Sequence, residues 1–278
     1  MHLSTKLKFR RNVLPKNKQD FFFTSFAIIA IPLVYWFEIF IVLPHIYRDN
    51  PSVIWPIIHT VMGTFISVNI IGNLFALIFF DTSITGVILK SKSEWILCPI
   101  CETMVPPRSW HCTECNVCIL KRDHHCSFCS NCIGYFNQRY FIHFLIYVFI
   151  ATLYASFYNF YFIYELSEFK SWKMWLNVIF PLAMLMFDYS IKQFYMFLSL
   201  IVLVMCAYSG VLLVFHVKLL LRGVVVHERK LGDVYNLGKI ENIKEVFGNR
   251  WQISWISPLI QSTLSGDGQS FKSGRKNE

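Results

Sequence analysis

The sequence predicts an all-α integral membrane protein: four transmembrane helices, with a small cytosolic double-zinc, cysteine-rich domain between helices 2 and 3. Three observations carry this. Of the 278 residues, 55% are hydrophobic and only 15% charged, whereas soluble domains hold roughly a quarter charged residues. Four apolar runs reach the roughly 20 residues that one bilayer crossing needs. Eight of the nine cysteines fall between Cys98 and Cys132, interleaved with histidines.

Taken in order, residues 1–20 form a basic N-terminal segment with Lys6, Lys8, Arg10, Arg11, Lys16 and Lys18 against one acid, Asp20. The run Phe21–Leu43 is the first span. It is too long for the apolar region of a signal peptide and no small-residue cleavage site follows it, so it is read as retained. Ile54–Phe80 is the second span, Tyr140–Tyr164 the third and Phe194–Leu221 the fourth. The expected layout is therefore residues 1–20 as N-terminus, 21–80 as helices 1 and 2, 81–139 as the zinc domain, 140–221 as helices 3 and 4 with a lumenal loop, and 222–278 as C-terminal tail. Met174–Phe187 is apolar too, but Pro181 interrupts it and Lys173 and Asp188 bound it. At roughly 14 residues it reads as a re-entrant or lumenal segment.

Orientation follows from the basic residues. Of the 26 Lys and Arg, 22 fall in the N-terminus, the 81–139 loop or the stretch from His216 onward, and only Arg48, Lys170, Lys173 and Lys192 fall on the other side. Both termini and the cysteine-rich loop are thus expected in the cytosol. The net charge of +9 is spread along the flanks of apolar runs, which points to anionic headgroups and a phosphate-bearing cosubstrate rather than to nucleic acid. The end of the chain, 262–278, is polar and expected to be disordered. Its last four residues, Arg275-Lys276-Asn277-Glu278, resemble a weak dibasic retrieval signal, though a solvated basic tail is the favoured reading. No internal repeat is recognised.

Cytosolic thiols stay reduced, so a dense Cys/His set there indicates zinc rather than disulfides. The spacing is Cys98-x2-Cys101-x9-His111-Cys112-x2-Cys115-x2-Cys118-x4-Asp123-His124-His125-Cys126-x5-Cys132. Two close Cys-x2-Cys pairs suit a tetrahedral ion, and zinc would supply folding free energy to a loop with little apolar sequence of its own. Including Cys129, eight cysteines and three histidines offer eleven ligands, while two closed sites use about eight. Spacing alone leaves open which three are spare.

At these residues the chain resembles the DHHC protein S-acyltransferase family. The resemblance includes Asp123-His124-His125-Cys126, Asn131-Cys132-Ile133-Gly134, Asn137 and Phe141, and extends to the four-span layout. It implies one zinc on Cys98, Cys101, His111 and Cys118, and a second on Cys112, Cys115, His125 and Cys132. It also implies Cys126 as nucleophile, His124 as its base and Asp123 as the group that orients His124. The expected activity is transfer of palmitoyl from palmitoyl-CoA, through a Cys126 thioester, to cysteines of membrane-associated proteins at the endoplasmic reticulum or Golgi. Such an acyl chain would lie among the helices at about 0.8 kcal/mol per buried CH2. A weaker resemblance covers Tyr235-Asn236-Leu237-Gly238, Asn242 and Val246-Phe247-Gly248 in the tail, where Asn242 is expected to cap or turn the chain.

Two departures stand out. Ser127-Phe128 replaces the family's Pro-Trp and is followed by Cys129, read as a small buried residue. After the fourth span Val225-Val226-His227-Glu228 stands where the family has Thr-Thr-x-Glu, so tail contacts to the site are expected to differ. The alternative function is a catalytically impaired zinc-containing scaffold that binds partner proteins. Arg108, Lys121 and Arg122 are candidates to face the CoA phosphates, with a solvated surface charge favoured for each. Glu38, Asn69 and Asn73 are expected to pair helices, Cys206 to lie in the core, and His143, His216 and His227 to be interfacial.

Overall fold

Each apolar run becomes a helix because a chain in hydrocarbon must satisfy its backbone polar groups internally. A computed structural model describes residues 8–87, 92–167, 172–230 and 232–274. Its elements in order are α1 (Lys18–Ile46), α2 (Ile54–Phe79), six short strands, α3 (Gln138–Ser167), α4 (Trp172–Ile179), α5 (Pro181–Leu185), α6 (Ile191–Leu221) and α7 (Lys239–Phe247). The strands are β1 (Ile96–Cys98), β2 (Thr103–Val105), β3 (Trp110–Cys112), β4 (Val117–Ile119), β5 (His124–Cys126) and β6 (Asn131–Ile133). Helices α1, α2, α3 and α6 are long and apolar enough to cross a membrane, and the protein is a multi-pass membrane protein. The apolar stretch around Pro181 forms the two short helices α4 and α5 and is no fifth span.

Helix α1 begins earlier than its apolar run because Asn17 caps it: Asn17 Oδ1 accepts the Asp20 N–H at 2.7 Å. At its other end, a π-helical turn covers Glu38–Val42. Glu38 Oε1 there accepts the Asn159 amide of α3 at 2.8 Å, the helix pairing expected of it. Helix α6 ends in a Schellman turn, with Gly223 in the left-handed region at φ 69 and Val224 N–H on Leu219 O at 3.1 Å. Asn242 donates to Leu221 O at 3.0 Å, so it acts as the expected cap, on the helix before it rather than on its own. Cys206 is buried.

The chain divides into two compact units. One takes in residues up to Ala27, Ile71–Phe144 and those from Val214; the other takes in Ile28–Ile70 and Leu145–Leu213. The second is mostly apolar, with Phe37, Val42, Phe162, Met196 and Leu198 at its centre. The first holds the cysteine-rich region, whose core is Ile84, Val105, Leu120, Tyr135 and two cysteines, Cys98 and Cys118.

That region is three antiparallel hairpins, β1–β2, β3–β4 and β5–β6. Their registers are Cys98↔Thr103, Cys112↔Val117 and Cys126↔Asn131, so the hairpins recur every 14 residues. This corrects the expectation of no repeat. The apolar pattern hides it because the common residues are ligands and turn formers rather than core residues. A second correction concerns the tail. Residues 262–274 are packed rather than disordered: Ser262 bonds Phe247 O at 2.6 Å, and Leu264 and Phe271 pack on the hairpin core. The dibasic Arg275–Glu278 lies outside the described residues.

Candidate active site and metal centres

Two donor sets converge, Cys98, Cys101, His111, Cys118 and Cys112, Cys115, His125, Cys132. In each, a Cys-x2-Cys turn of one hairpin meets a cross-strand His/Cys pair of the next, His111↔Cys118 or His125↔Cys132. Zn–S bonds of about 2.3 Å at a tetrahedral ion put sulfurs about 3.8 Å apart. The Cys118–Cys101 and Cys115–Cys132 sulfurs are 3.6 and 3.7 Å apart. His125 Nδ1 lies 3.4 to 3.8 Å from its three sulfurs, and His111 Nδ1 lies 3.3 and 4.0 Å from Cys101 and Cys118. Both sets fit zinc, and both are closed by four protein ligands.

The second set has an outer partner. His125 turns Nδ1 to the sulfurs, so Nε2–H is free to donate, and it does so to Asp20 Oδ2 at 3.0 Å. Asp20 is buried in the first turn of α1 and also accepts from Asn17 at 3.1 Å. Nearby, Thr24 donates to Ser127 O at 2.9 Å and Phe23 meets the Phe128 ring at 5.1 Å. Phe128 thus uses its ring to seat the residues after Cys126 on α1.

Asp123, His124 and Cys126, left over by the metal sets, come together. Asp123 Oδ2 accepts from His124 Nδ1 at 2.7 Å, which leaves Nε2 of the ring for Cys126, whose sulfur acts on the imidazole electrostatically. Burial opposes charge on His124, but Asp123 and the Cys126 sulfur outweigh it and push its pKa up to about 9. Burial also opposes ionisation of Asp123, yet His124 holds its carboxyl below the usual carboxylate range. The Cys129 thiol beside Cys126 lowers the Cys126 thiol, burial raises it and His124 lowers it again; the balance lies well below the usual thiol range. These shifts favour a thiolate at Cys126 beside an imidazolium held by a carboxylate, the state in which a cysteine is nucleophilic.

Holding this geometry falls to the motif's polar residues. Asn137 accepts from Gly134 N–H at 2.9 Å and donates to Cys132 O at 2.9 Å. Asn131 caps the end of α2 through Leu77 O and Phe80 O at 2.8 and 2.9 Å. A Cβ on Gly134 would sit 2.6 Å from Leu120 O, so only glycine fits there.

Of the three cations expected as solvated charges or phosphate contacts, Arg108 and Lys121 are buried, and Arg122 stays partly exposed. Arg108 is fully buried and gives Glu228 two bonds, Nε to Oε1 and Nη2 to Oε2, each at 2.7 Å. It also bonds Gly223 O at 2.8 Å and stacks on Tyr235 at 4.3 Å. Lys121 pairs with Glu245 at 2.7 Å, and Arg122 contacts His227 at 2.8 Å. A sequence cannot show this, because the acids that pair with Arg108 and Lys121 lie over 100 residues downstream.

His216, expected at the membrane interface, lies near the end of α6, and its contacts were not foreseen. It packs against His124 and Phe141 with ring centroids at 5.3 and 4.8 Å, and its Nδ1 lies 3.6 Å from Asp123 Oδ2. Its signal was a lone polar residue near the end of an apolar run, which says nothing of its neighbours. His143 is buried against Phe247 at 4.9 Å.

A membrane-embedded helical protein with two donor sets of three cysteines and one histidine, and a further cysteine, Cys126, outside them, belongs to a narrow class. Residues 91–231 match the DHHC palmitoyltransferase family, and the chain belongs to that family. It is 36% identical over 236 residues to the Danio rerio protein named "Probable palmitoyltransferase ZDHHC24", covering 82% of this chain and 80% of that one. The Homo sapiens protein of the same name is 33% identical over 76% of this chain and 77% of its own length. The protein is a protein S-palmitoyltransferase, using acyl-CoA and protein substrates in a membrane, and its two Cys/His clusters fit the zinc of that family.

Proposed function

We propose that Cys126 carries the acyl group, with His124 as proton carrier and Asp123 as its orienting carboxylate. The observation that carries this reading is the 2.7 Å bond from His124 Nδ1 to Asp123 Oδ2, which leaves the other ring nitrogen for Cys126. In the first half-reaction the Cys126 thiolate attacks the thioester carbonyl of acyl-CoA. The CoA sulfur leaves with the bonding pair and takes the proton from the His124 imidazolium. In the second, a substrate cysteine gives its proton to His124 and attacks the acyl carbonyl, and Cys126 leaves as thiolate. Two thioester exchanges of this kind give ping-pong kinetics. The zinc ions of Cys98, Cys101, His111, Cys118 and of Cys112, Cys115, His125, Cys132 supply folding free energy to the hairpins.

The basic bias supports a cytosolic location for both termini and for residues 81–139, with the 140–221 segment returning through the lumen and 222–278 as the tail. Protein substrates would then be membrane-associated proteins with cytosolic cysteines, at the endoplasmic reticulum or Golgi. The test is labelling of the zinc-loaded protein with a clickable palmitoyl-CoA. Label released by neutral hydroxylamine and absent from Cys126→Ser supports the assignment; label that survives in Cys126→Ser overturns it.

A further inference from the structure

Three rings close on one another beside Asp123. His124 meets Phe141 and His216 with ring centroids at 4.9 and 5.3 Å, and Phe141 meets His216 at 4.8 Å. Phe141 stands in the first turn of α3, and His216 on α6 five residues before its end; both are buried. The buried Asp123 carboxylate faces this triangle through one oxygen. Its Oδ2 is 2.7 Å from His124 Nδ1 and 3.6 Å from His216 Nδ1. Its Oδ1 accepts the Val226 N–H at 3.0 Å.

A buried imidazole needs a polar partner, and the rings of Phe141 and Phe215 against His216 offer none. The Asp123 carboxylate only accepts, so the nitrogen of His216 that faces it serves as an N–H donor. At 3.6 Å the contact is longer than a full hydrogen bond, and it acts as an electrostatic attraction second to the His124 bond. Burial strengthens it, because little water screens an N–H dipole from the carboxylate there. The end of α6 and the tail after it therefore reach Asp123 twice, once toward each oxygen.

We propose that His216 is a positioning residue for acyl transfer. Its Nδ1–H holds Asp123 Oδ2 in the orientation that keeps His124 Nδ1 bound, and so keeps His124 Nε2 turned to Cys126. Its ring, with that of Phe141, fills the space into which the His124 ring would otherwise rotate. The donor decides the effect and the ring supports it. This role rests on Asp123 and His124 serving Cys126 as set out above, since His216 acts only through them.

The experiment compares two variants of the full-length, zinc-loaded protein by labelling with clickable palmitoyl-CoA. His216→Phe keeps a ring in the triangle and removes the nitrogen. His216→Asn removes the ring and returns an amide N–H close to the place of Nδ1. His216→Phe should slow labelling about tenfold, and His216→Asn should recover most of that loss. In an Asp123→Ala background His216→Phe should slow labelling no further, because residues that act as a unit are not additive. Wild-type labelling in His216→Phe, equal losses in the two variants, or losses that multiply with Asp123→Ala overturn the role. So does a fall in zinc content or Tm that accounts for the slower labelling, which assigns His216 to packing. Wild-type labelling in Asp123→Ala, or label in Cys126→Ser, removes the relay itself and the part of His216 with it.

Discussion

Val226 donates its backbone N–H to Asp123 Oδ1 at 3.0 Å, on the opposite carboxylate oxygen from the one that holds His124. The tail therefore reaches the site through its main chain, and the absence of hydroxyls at Val225 and Val226 does not break that link. Val226 opens a short 3-10 turn, after Val225 in extended conformation. Proline fits such a position without strain but has no N–H. Val226→Pro should slow acyl labelling about tenfold, in line with about 1.5–3 kcal/mol for a bond to a charged group. Val226→Thr should label at close to the wild-type rate. Equal rates in all three proteins would show that the contact is idle.

The His124 imidazolium, with its pKa pushed up to about 9, sets a pH window. Its folded value lies above the ordinary one, so its stabilising attraction to Asp123 is complete below about 6.5 and is lost as pH rises through about 9. Alkylation of Cys126 should be near its maximum at neutral pH. Acylation should decline above about 9 as the proton for the leaving CoA sulfur is lost. In His124→Gln, reactivity should climb with pH through the ordinary thiol range of about 8.5. Superimposable pH–rate profiles for the two proteins would sink the relay.

Removing the acid that pairs with Arg108 should be costly. With its side chain wholly buried, the guanidinium in Glu228→Ala keeps, among the described residues, only Glu245 as a carboxylate partner, at 3.2 Å. Losing one side of a buried pair costs about 3–5 kcal/mol, read as a fall in Tm and in the yield of folded protein. Arg108→Lys should not rescue function, since lysine cannot make the two-bond fork and the stack on Tyr235 together. A Glu228→Ala protein with unchanged Tm would show the pair to be neutral.

Asp20 should govern the hold on one zinc and not the other. Outer partners of metal-bound histidines are worth about 10–100-fold in affinity. Asp20→Ala should therefore release the zinc of Cys112, Cys115, His125 and Cys132 to a chelator sooner, while that of Cys98, Cys101, His111 and Cys118 leaves at its normal rate. Asp20→Glu should recover part of the difference. Two zincs leaving together in every variant would exclude the selective role.

What could be read from the sequence depended on how local the information was. The spans were legible because length and hydropathy belong to each run by itself. The two donor sets and the Asp123, His124, Cys126 group were legible through the motif, all between Cys98 and Cys132. Arg108 was not, because its burial is decided by Glu228, Gly223 and Glu245, and spacing says nothing of partners that far away. The contacts of His216 were hidden for the same reason. Asp20 stood out as the one acid of a basic segment, but only folding shows that it faces His125. The order of residues 262–274 was missed because composition suggests disorder, while Phe271 supplies a ring both to Tyr135 and to Arg108.

Arg108 leaves the ribosome well before its partners exist. Gly223, Glu228 and Glu245 follow it by 115, 120 and 137 residues, a delay on the order of ten seconds at about 5–20 residues per second. During that interval a guanidinium destined for the interior has no counter-charge, so the hairpins around it have reason to stay open. Closure of the region around Cys126 would thereby be deferred until translation is nearly finished. A nascent chain whose first three membrane helices are already inserted would not yet have the buried pair that closes the region around its thiol.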